Sequence, residues 1–260
     1  MKKLKIVAIG AGNVATQLVP HFFKKGHTIL QVYSRNITHA SPLAKKSKAE
    51  AIDQFDHVVA DADVYYLMVS DDAIEPLAKE LSKSIDKSSV ILHCSGSKSS
   101  KILKGASMHY GVLYPLQTFT KEAKVNLAKV PVFTTGNSKH ARELATQLGM
   151  DISKSTYQLS DKKRTELHLA AVVCNNFVHH LFVKSSDYLK SKRIPFEYLL
   201  PLIENTTKNA AHTDIKKNQT GPAKRKDNKT IKTHLEMLQS DPDFKKLYAA
   251  LSKSIKATHT

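Results

Sequence analysis

Lys5-Ile6-Val7-Ala8-Ile9-Gly10-Ala11-Gly12-Asn13-Val14-Ala15 is the stretch on which the reading of this chain turns. A short apolar run ends in Gly10, the chain turns through Gly12, and a segment of helical period, Thr16 to Lys25, follows at once. Strand, glycine turn and helix in that order open a dinucleotide-binding fold. A tight turn at Gly10 has no room for a Cβ, and Gly12 lets the backbone come close to a pyrophosphate. Ala15 takes the place of the third small residue, where helix packs on strand. The pyrophosphate would rest on the free N–H groups and positive end of the helix. Gly10, Ala11, Gly12, Asn13 and Val14 are therefore the expected phosphate contacts.

Further along, Thr28 to Tyr33 reads as a second strand that stops at Ser34-Arg35-Asn36. An NAD enzyme commonly has Asp or Glu there, holding the ribose 2′-hydroxyl. No carboxylate is present here. Arg35 offers a planar fork to a 2′-phosphate and Ser34 a hydroxyl beside it, so NADP is expected ahead of NAD. Asp63 to Val69 is the next strand, and Asp71 or Asp72 is placed to cap the helix after it. Ser89 to Cys94 is another, ending in Ser95-Gly96-Ser97. Ligands of open α/β sheets bind beyond the carboxyl ends of the strands, which adds Val69, Ser70 and Ser95 to the cofactor contacts. His93 reads as a core histidine. Tyr114-Pro115-Leu116-Gln117-Thr118-Phe119 reads as an extended loop, where Gln117 and Thr118 offer neutral hydrogen-bonding groups to a substrate.

From Ser160 onward the periodicity is helical, with no convincing strand. Asp161 to Leu189 reads as one long helix with an apolar face that includes Leu167, Cys174, Phe177 and Leu181, the mark of a domain core or a dimer seam. The expected organisation is an α/β Rossmann-like domain over residues 1–156, with a mostly parallel doubly wound sheet, and an all-α domain over residues 157–260. A chain of 260 residues with 41% hydrophobic content can bury two modest cores. Cys94 and Cys174 stand far apart without metal-type spacing, so no metal is expected and both read as buried, reduced thiols of a cytoplasmic protein. No apolar run is long enough to span a bilayer. The net charge of +17 comes mainly from lysines spread along the chain. A nucleic-acid surface concentrates charge on one face, often with arginines and aromatics. The dispersed pattern argues against such a partner and fits small anionic ligands.

These motifs resemble the Rossmann-like family of NADP or deazaflavin-dependent oxidoreductases whose C-terminal domain has no assigned function. The resemblance rests on the first glycine turn, on Tyr114 to Phe119, on Leu167-His168-Leu169-Ala170-Ala171 through Asn175-Asn176, and on Gly221-Pro222 through Arg225 and Asp227. It is more distantly similar to pyrroline-5-carboxylate reductase and the β-hydroxyacid dehydrogenases, which implies a homodimer formed through the helical domain. The family often has His where this chain has Tyr114. The dehydrogenases' catalytic Lys, four residues before an Asn, is not reproduced.

The resemblance implies an NADP-dependent reductase that passes hydride to or from a small, anionic carbonyl or imine compound. NAD and a deazaflavin coenzyme rank behind NADP. His168 suits the proton donor, since a histidine ordinarily titrates at about pH 6.5. Asn175, seven residues on, would share its helical face and orient a substrate oxygen. Arg225 would hold an anionic group bidentately, with Asp227 orienting it. The alternative is a protein that binds NADP without turnover, as a sensor or scaffold.

Overall fold

Ile6, Val7, Ala8 and Ile9 are all buried, as suits a central parallel strand covered on both faces. They belong to β1 (Lys5–Ile9) in a computed structural model that describes residues 2–122, 124–211 and 214–259. The chain continues as α1 (Asn13–Lys24), β2 (Thr28–Tyr33), α2 (Ile37–Lys46), β3 (Glu50–Ile52), β4 (Val64–Leu67), α3 (Asp71–Leu81) and β5 (Val90–His93). Then come β6 (His109–Pro115), β7 (Val132–Gly136), α4 (Lys139–Ile152), β8 (Thr156–Gln158) and α5 (Asp161–Ala171). The strands form one sheet in the order β3-β2-β1-β4-β5-β6-β7-β8, parallel except where β6 meets β7. This is the expected doubly wound α/β sheet.

The strand order reverses between β1 and β4, the place where such sheets open a crevice. Ile9, Leu67 and His93 stand side by side, so β1, β4 and β5 reach their carboxyl ends at one edge, and β6 runs on past them from Val112 to Pro115. Alternation divides the core. Ile6, Ala8, Tyr66 and Leu113 pack with Leu18, Phe22, Leu43 and Leu148 from α1, α2 and α4. Val7, Ile9, Tyr65 and Leu67 pack on the other face with Ile74 and Leu81 of α3.

Four features differ from the sequence reading. The three-residue strands β3 and β8 carry too little apolar pattern to announce themselves. Tyr114 and Pro115 belong to β6 rather than to a loop. Proline fits there because β5 has already ended and only β7 is left to pair. Ser70, not Asp71 or Asp72, is the N-cap residue of α3, and the two aspartates sit in its first turn. Asp71 instead accepts a hydrogen bond from Ser97 Oγ at 2.5 Å. Finally, the long helix is not uniform. After α5 it widens into a π-helical stretch, Val172–Phe177, before α6 (Val178–Ser191).

At that widening the chain divides into two compact units, Met1–Val172 and Val173–Thr260. The sequence changes texture at Ser160, with a domain boundary expected at 156/157, whereas α5 keeps company with the sheet, and a buried ionic clamp is the reason. Ser160 caps the helix through Lys163 N. Asp161 Oδ2 accepts from Ser99 Oγ at 2.6 Å and from Ser100 N and Oγ at 2.9 Å. Its Oδ1 receives the Arg164 guanidinium at 2.7 Å. Arg164 is wholly buried and also donates to Thr135 Oγ1 at 3.2 Å and to the Lys98 carbonyl. One turn of α5 is thereby riveted to the segment after β5 and to β7.

The second unit continues with α7 (Leu200–Ala210), α8 (Asn228–Met237) and α9 (Pro242–Thr258). It contains no strand among the described residues, as expected of an all-α unit. Asp227 caps α8 through Thr230 N at 3.0 Å, and Asp241 caps α9 through Phe244 N at 3.0 Å. Among the described residues, no helix is long and apolar enough to cross a membrane.

Burial works against the charge on Asp161, but hydrogen bonds from Ser99, Arg164 and Ser100 outweigh it and hold the carboxyl below its usual 3.8. A carboxyl lowered on folding stabilises the fold above its unfolded value, and that contribution fades as pH falls through the folded value. Asp161→Asn leaves Arg164 buried without its counter-charge. It is expected to cost on the order of 3 kcal/mol at pH 7, a fall of about 6–12 °C in thermal midpoint. The gap from wild type should narrow below about pH 4; a gap constant down to pH 3 would contradict the clamp.

Candidate functional site

The turn between β1 and α1 is shaped by what cannot fit in it. Gly10 has a φ of +110°, and a Cβ there would overlap the Met68 carbonyl after β4. Its N–H donates to the Tyr33 carbonyl at 2.8 Å, so three strand ends meet on one bare residue. Gly12 is bare for the opposite reason. A Cβ on it would meet nothing within 4 Å and would project into open space. Ala15 is fully buried against the sheet, the place expected of the third small residue.

Gly12 is the N-cap of α1 and supplies no side-chain hydrogen bond. The first intrahelical bond is Thr16 N to Gly12 O, at 2.9 Å, which leaves the N–H groups before it to be met from outside. Side chains cap α2, α4, α5, α8 and α9, through Asn36, Ser138, Ser160, Asp227 and Asp241. Among the α-helices of the described residues that are entered directly from a strand or loop, α1 and α3 start without one, and both open on the same cavity. Asp71 and Asp72 in the first turn of α3 disfavour an anion there, whereas the first turn of α1 has no acid. Of the two, the start of α1 is the one whose charge suits an anion.

That cavity, of about 450 Å³, brings together Gly10, Ala11, Gly12, Ser34, Arg35, Val69 and Ser70, all expected cofactor contacts. Arg35 is exposed at its rim and makes no salt bridge among the described residues. Asn13 and Val14 open α1 beside the cavity without lining it. The sequence reading missed its apolar wall, Tyr33, Met68, Pro76 and Leu77; only their position just past strand ends and on the first turns of α3 points to them. Ser95 is not in the lining. Its buried hydroxyl accepts from Ser97 N at 3.2 Å and Lys98 N at 3.0 Å and shapes the turn instead.

A second polar group lies at the same sheet edge, where β6 runs on past the end of β5. Tyr114 Oη and His168 Nδ1 are 3.0 Å apart, with the two rings edge to face at 77°. A Cβ on Gly96 would overlap both His168 Nδ1 and the Tyr114 ring, so this glycine makes the room in which the pair meets. Burial pushes the Tyr114 phenol up to about 12, although the Arg164 guanidinium pulls the other way. His93 is a core residue, as expected. Its Nδ1 accepts from Ser95 N at 3.1 Å, and burial, aided by Arg164, lowers its pKa to about 4. Gln117 and Thr118 are exposed on the loop after β6, and Gln117 Oε1 receives Thr118 N at 2.8 Å.

The remaining candidates belong to the second unit. Asn175 sits in the π-helical stretch, where a turn takes more residues than in an α-helix. Seven residues from His168 no longer make two even turns, so the expected shared face is not a consequence of the spacing. Arg225 lies in a turn after Gly221 and not at a helix start, because α8 begins only at Asn228. Among the described residues, no ion pair joins it to Asp227, whose carboxylate instead takes Thr230 N at 3.0 Å and Thr230 Oγ1 at 2.7 Å. Among the described residues there is no cluster of metal-ligating side chains.

Residues 5–95 match the family described as NADP oxidoreductase, coenzyme F420-dependent, and residues 130–255 match a domain of unknown function, DUF2520. A "putative NADP oxidoreductase" of Bacteroides fragilis is 35% identical over 98% of both chains, with a TM-score of 0.93. A reductive aminase of Aspergillus terreus, solved with NADPH and ethyl levulinate, shares the fold at 14% identity, covering 100% of this chain and 97% of that one, TM-score 0.70. An imine reductase of Myxococcus stipitatus, solved with NADP+, shares it at 15% identity over 97% and 92%, TM-score 0.67. No curated protein matches the chain. With a full-length relative at that identity and both halves matched in order, the chain belongs to the family that joins an NADP oxidoreductase, coenzyme F420-dependent domain to this C-terminal domain of unknown function.

Proposed function

We propose that the protein is an NADP-dependent reductase of a small, anionic carbonyl or imine compound. The observation that carries the reading is the start of α1, which has neither side-chain cap nor acid and opens on a cavity with Arg35 at its rim. Such a helix start suits a pyrophosphate, and a guanidinium at the end of β2 suits a 2′-phosphate. The open space over Gly12 accommodates the phosphates, so the residues present fit the nucleotide. The family's name also admits a deazaflavin coenzyme. Arg35 and the NADP-bearing neighbours of the fold support NADP.

When bound, the cofactor supplies hydride to the carbon of a carbonyl or imine. His168 holds the proton that completes the reduction and delivers it to the oxygen or nitrogen, giving an alcohol or an amine. Val69 and Ser70 wall the cavity on the side of α3. Arg225 is the candidate for the substrate's anionic group, and the lysine-rich charge of +17 favours such substrates. The setting we assign is the cytoplasm, where Cys174, exposed and not buried as its sequence context suggests, stays a thiol.

The assembly we assign is a homodimer through the helical half. It is supported by apolar side chains left uncovered along α5, the π-helical stretch and α6: Leu169, Val173, Phe177 and Val183 are exposed by 43–66%. Light scattering is expected to give twice the 28.9 kDa chain mass, and Phe177→Asp to return it to one chain. A monomeric wild type would overturn this assembly.

Fluorescence titration should show NADPH binding at least about tenfold tighter than NADH. Arg35→Ala should weaken NADPH by roughly 10- to 100-fold while leaving NADH unchanged, the range of a lost charged hydrogen bond. Equal affinities in the wild type would remove the NADP assignment, and competition with a deazaflavin would then decide the coenzyme. Absorbance loss of NADPH against keto acids and imines tests turnover. His168→Ala should lower kcat by roughly 10²- to 10⁴-fold with NADPH affinity intact. Tight binding without turnover across that panel favours the sensor reading.

A further inference from the structure

We infer that Tyr114 is a positioning residue: its phenol O–H donates to Nδ1 of His168 and so fixes the proton of the neutral imidazole on Nε2. The inference rests on the reading of His168 as the proton donor, and it adds which nitrogen does the work and what decides it.

A neutral imidazole has one donor nitrogen and one acceptor, and the partner of one settles the role of the other. Tyr114 is nine-tenths buried, and its hydroxyl has one partner among the described residues, His168 Nδ1 at 3.0 Å. A buried O–H that faces another donor would leave its own hydrogen unmet, at a cost of about 1–3 kcal/mol. The phenol therefore donates and Nδ1 accepts. The phenol also keeps its proton throughout the range in which histidine titrates, because burial raises it to about 12.

The surroundings hold the pair in register. Tyr114 is anchored in β6, paired with Phe133 of β7, and its neighbour Leu113 accepts the Tyr66 hydroxyl at 2.6 Å. His168 follows Arg164 by four residues, one helical turn past the clamp that pins α5. Gly96 supplies the gap in which the rings meet. Strand, helix and turn are each fixed by contacts that do not involve the imidazole. The half-exposed histidine is thus aimed from outside, and its second nitrogen is left for chemistry.

Long-range proton–nitrogen NMR of the intact chain with labelled histidines reads the tautomer directly, and His168→Gln identifies the signal among the 13 histidines. Above the histidine titration, wild-type His168 should show a bare Nδ1 and a protonated Nε2. Tyr114→Phe should give a mixture of both tautomers, while the amide spectrum of the sheet stays in place. A wild-type His168 protonated on Nδ1 overturns the proposal without any variant, even if Tyr114→Phe fails to fold. An unchanged tautomer in a folded Tyr114→Phe overturns it as well. Once a substrate is found, Tyr114→Phe should lower kcat by roughly 10- to 100-fold with KM little changed. A protein that binds NADPH but turns nothing over would sink the reductase reading and leave the tautomer result standing.

Discussion

The edge of this sheet is organised by a residue that tolerates no side chain. Gly10 leaves β1 at a positive φ, gives its N–H to the end of β2 and lies against the carbonyl that follows β4. Any Cβ there must displace backbone, and the backbone in question belongs to the central strands. Because the turn is this tight, α1 starts immediately beside the sheet, and its first N–H groups point into the crevice where the strand order reverses. Ala15 completes the constraint on the other side by letting α1 lie flat on the core. Cavity, uncapped helix start and core packing all follow from those few small residues.

Much of this was legible in the sequence because it depends on local patterns. The apolar runs of β1, β2, β4 and β5 have length and composition on their side, and Gly10 and Gly12 have few other uses in such a setting. Arg35 could be singled out because strand and turn place it. The short strands β3 and β8 were not legible, since they pair by virtue of neighbours already in position. The burial of Arg164 was hidden for a related reason. A lone arginine in a charged stretch, Asp161-Lys162-Lys163-Arg164, reads as solvated surface until Ser99, Ser100 and Thr135 arrive from distant parts of the chain.

The same logic explains why Tyr114 was read as a loop aromatic. Its partner lies 54 residues away, and neither residue's local pattern announces the other. Gly96 is the available signal, a glycine among serines just past a strand, yet a turn by itself is reason enough for a glycine there. The apolar face of the long helix was recognised, yet its division at Val172 was not. Nothing in the composition of Val172 to Phe177 distinguishes a π-helical turn from an α-helical one.

The chain treats its polar groups in two contrasting ways at one edge of the sheet. Around Arg164 most hydrogen-bonding positions are met: the carboxylate of Asp161 by two serines and the guanidinium, and the guanidinium in turn by a hydroxyl and a carbonyl. Satisfaction of that kind makes a buried charge tolerable and also makes it stiff. At the start of α1 the reverse holds, for no side chain meets its first donors although five other α-helices among the described residues receive side-chain caps. Unmet donors at a cavity wall cost little while water can reach them, and they gain most when an anion replaces that water. A stiff cluster that pins α5, and with it His168, stands in contrast to a helix end left open to charge, and the proposed reductase would draw on both.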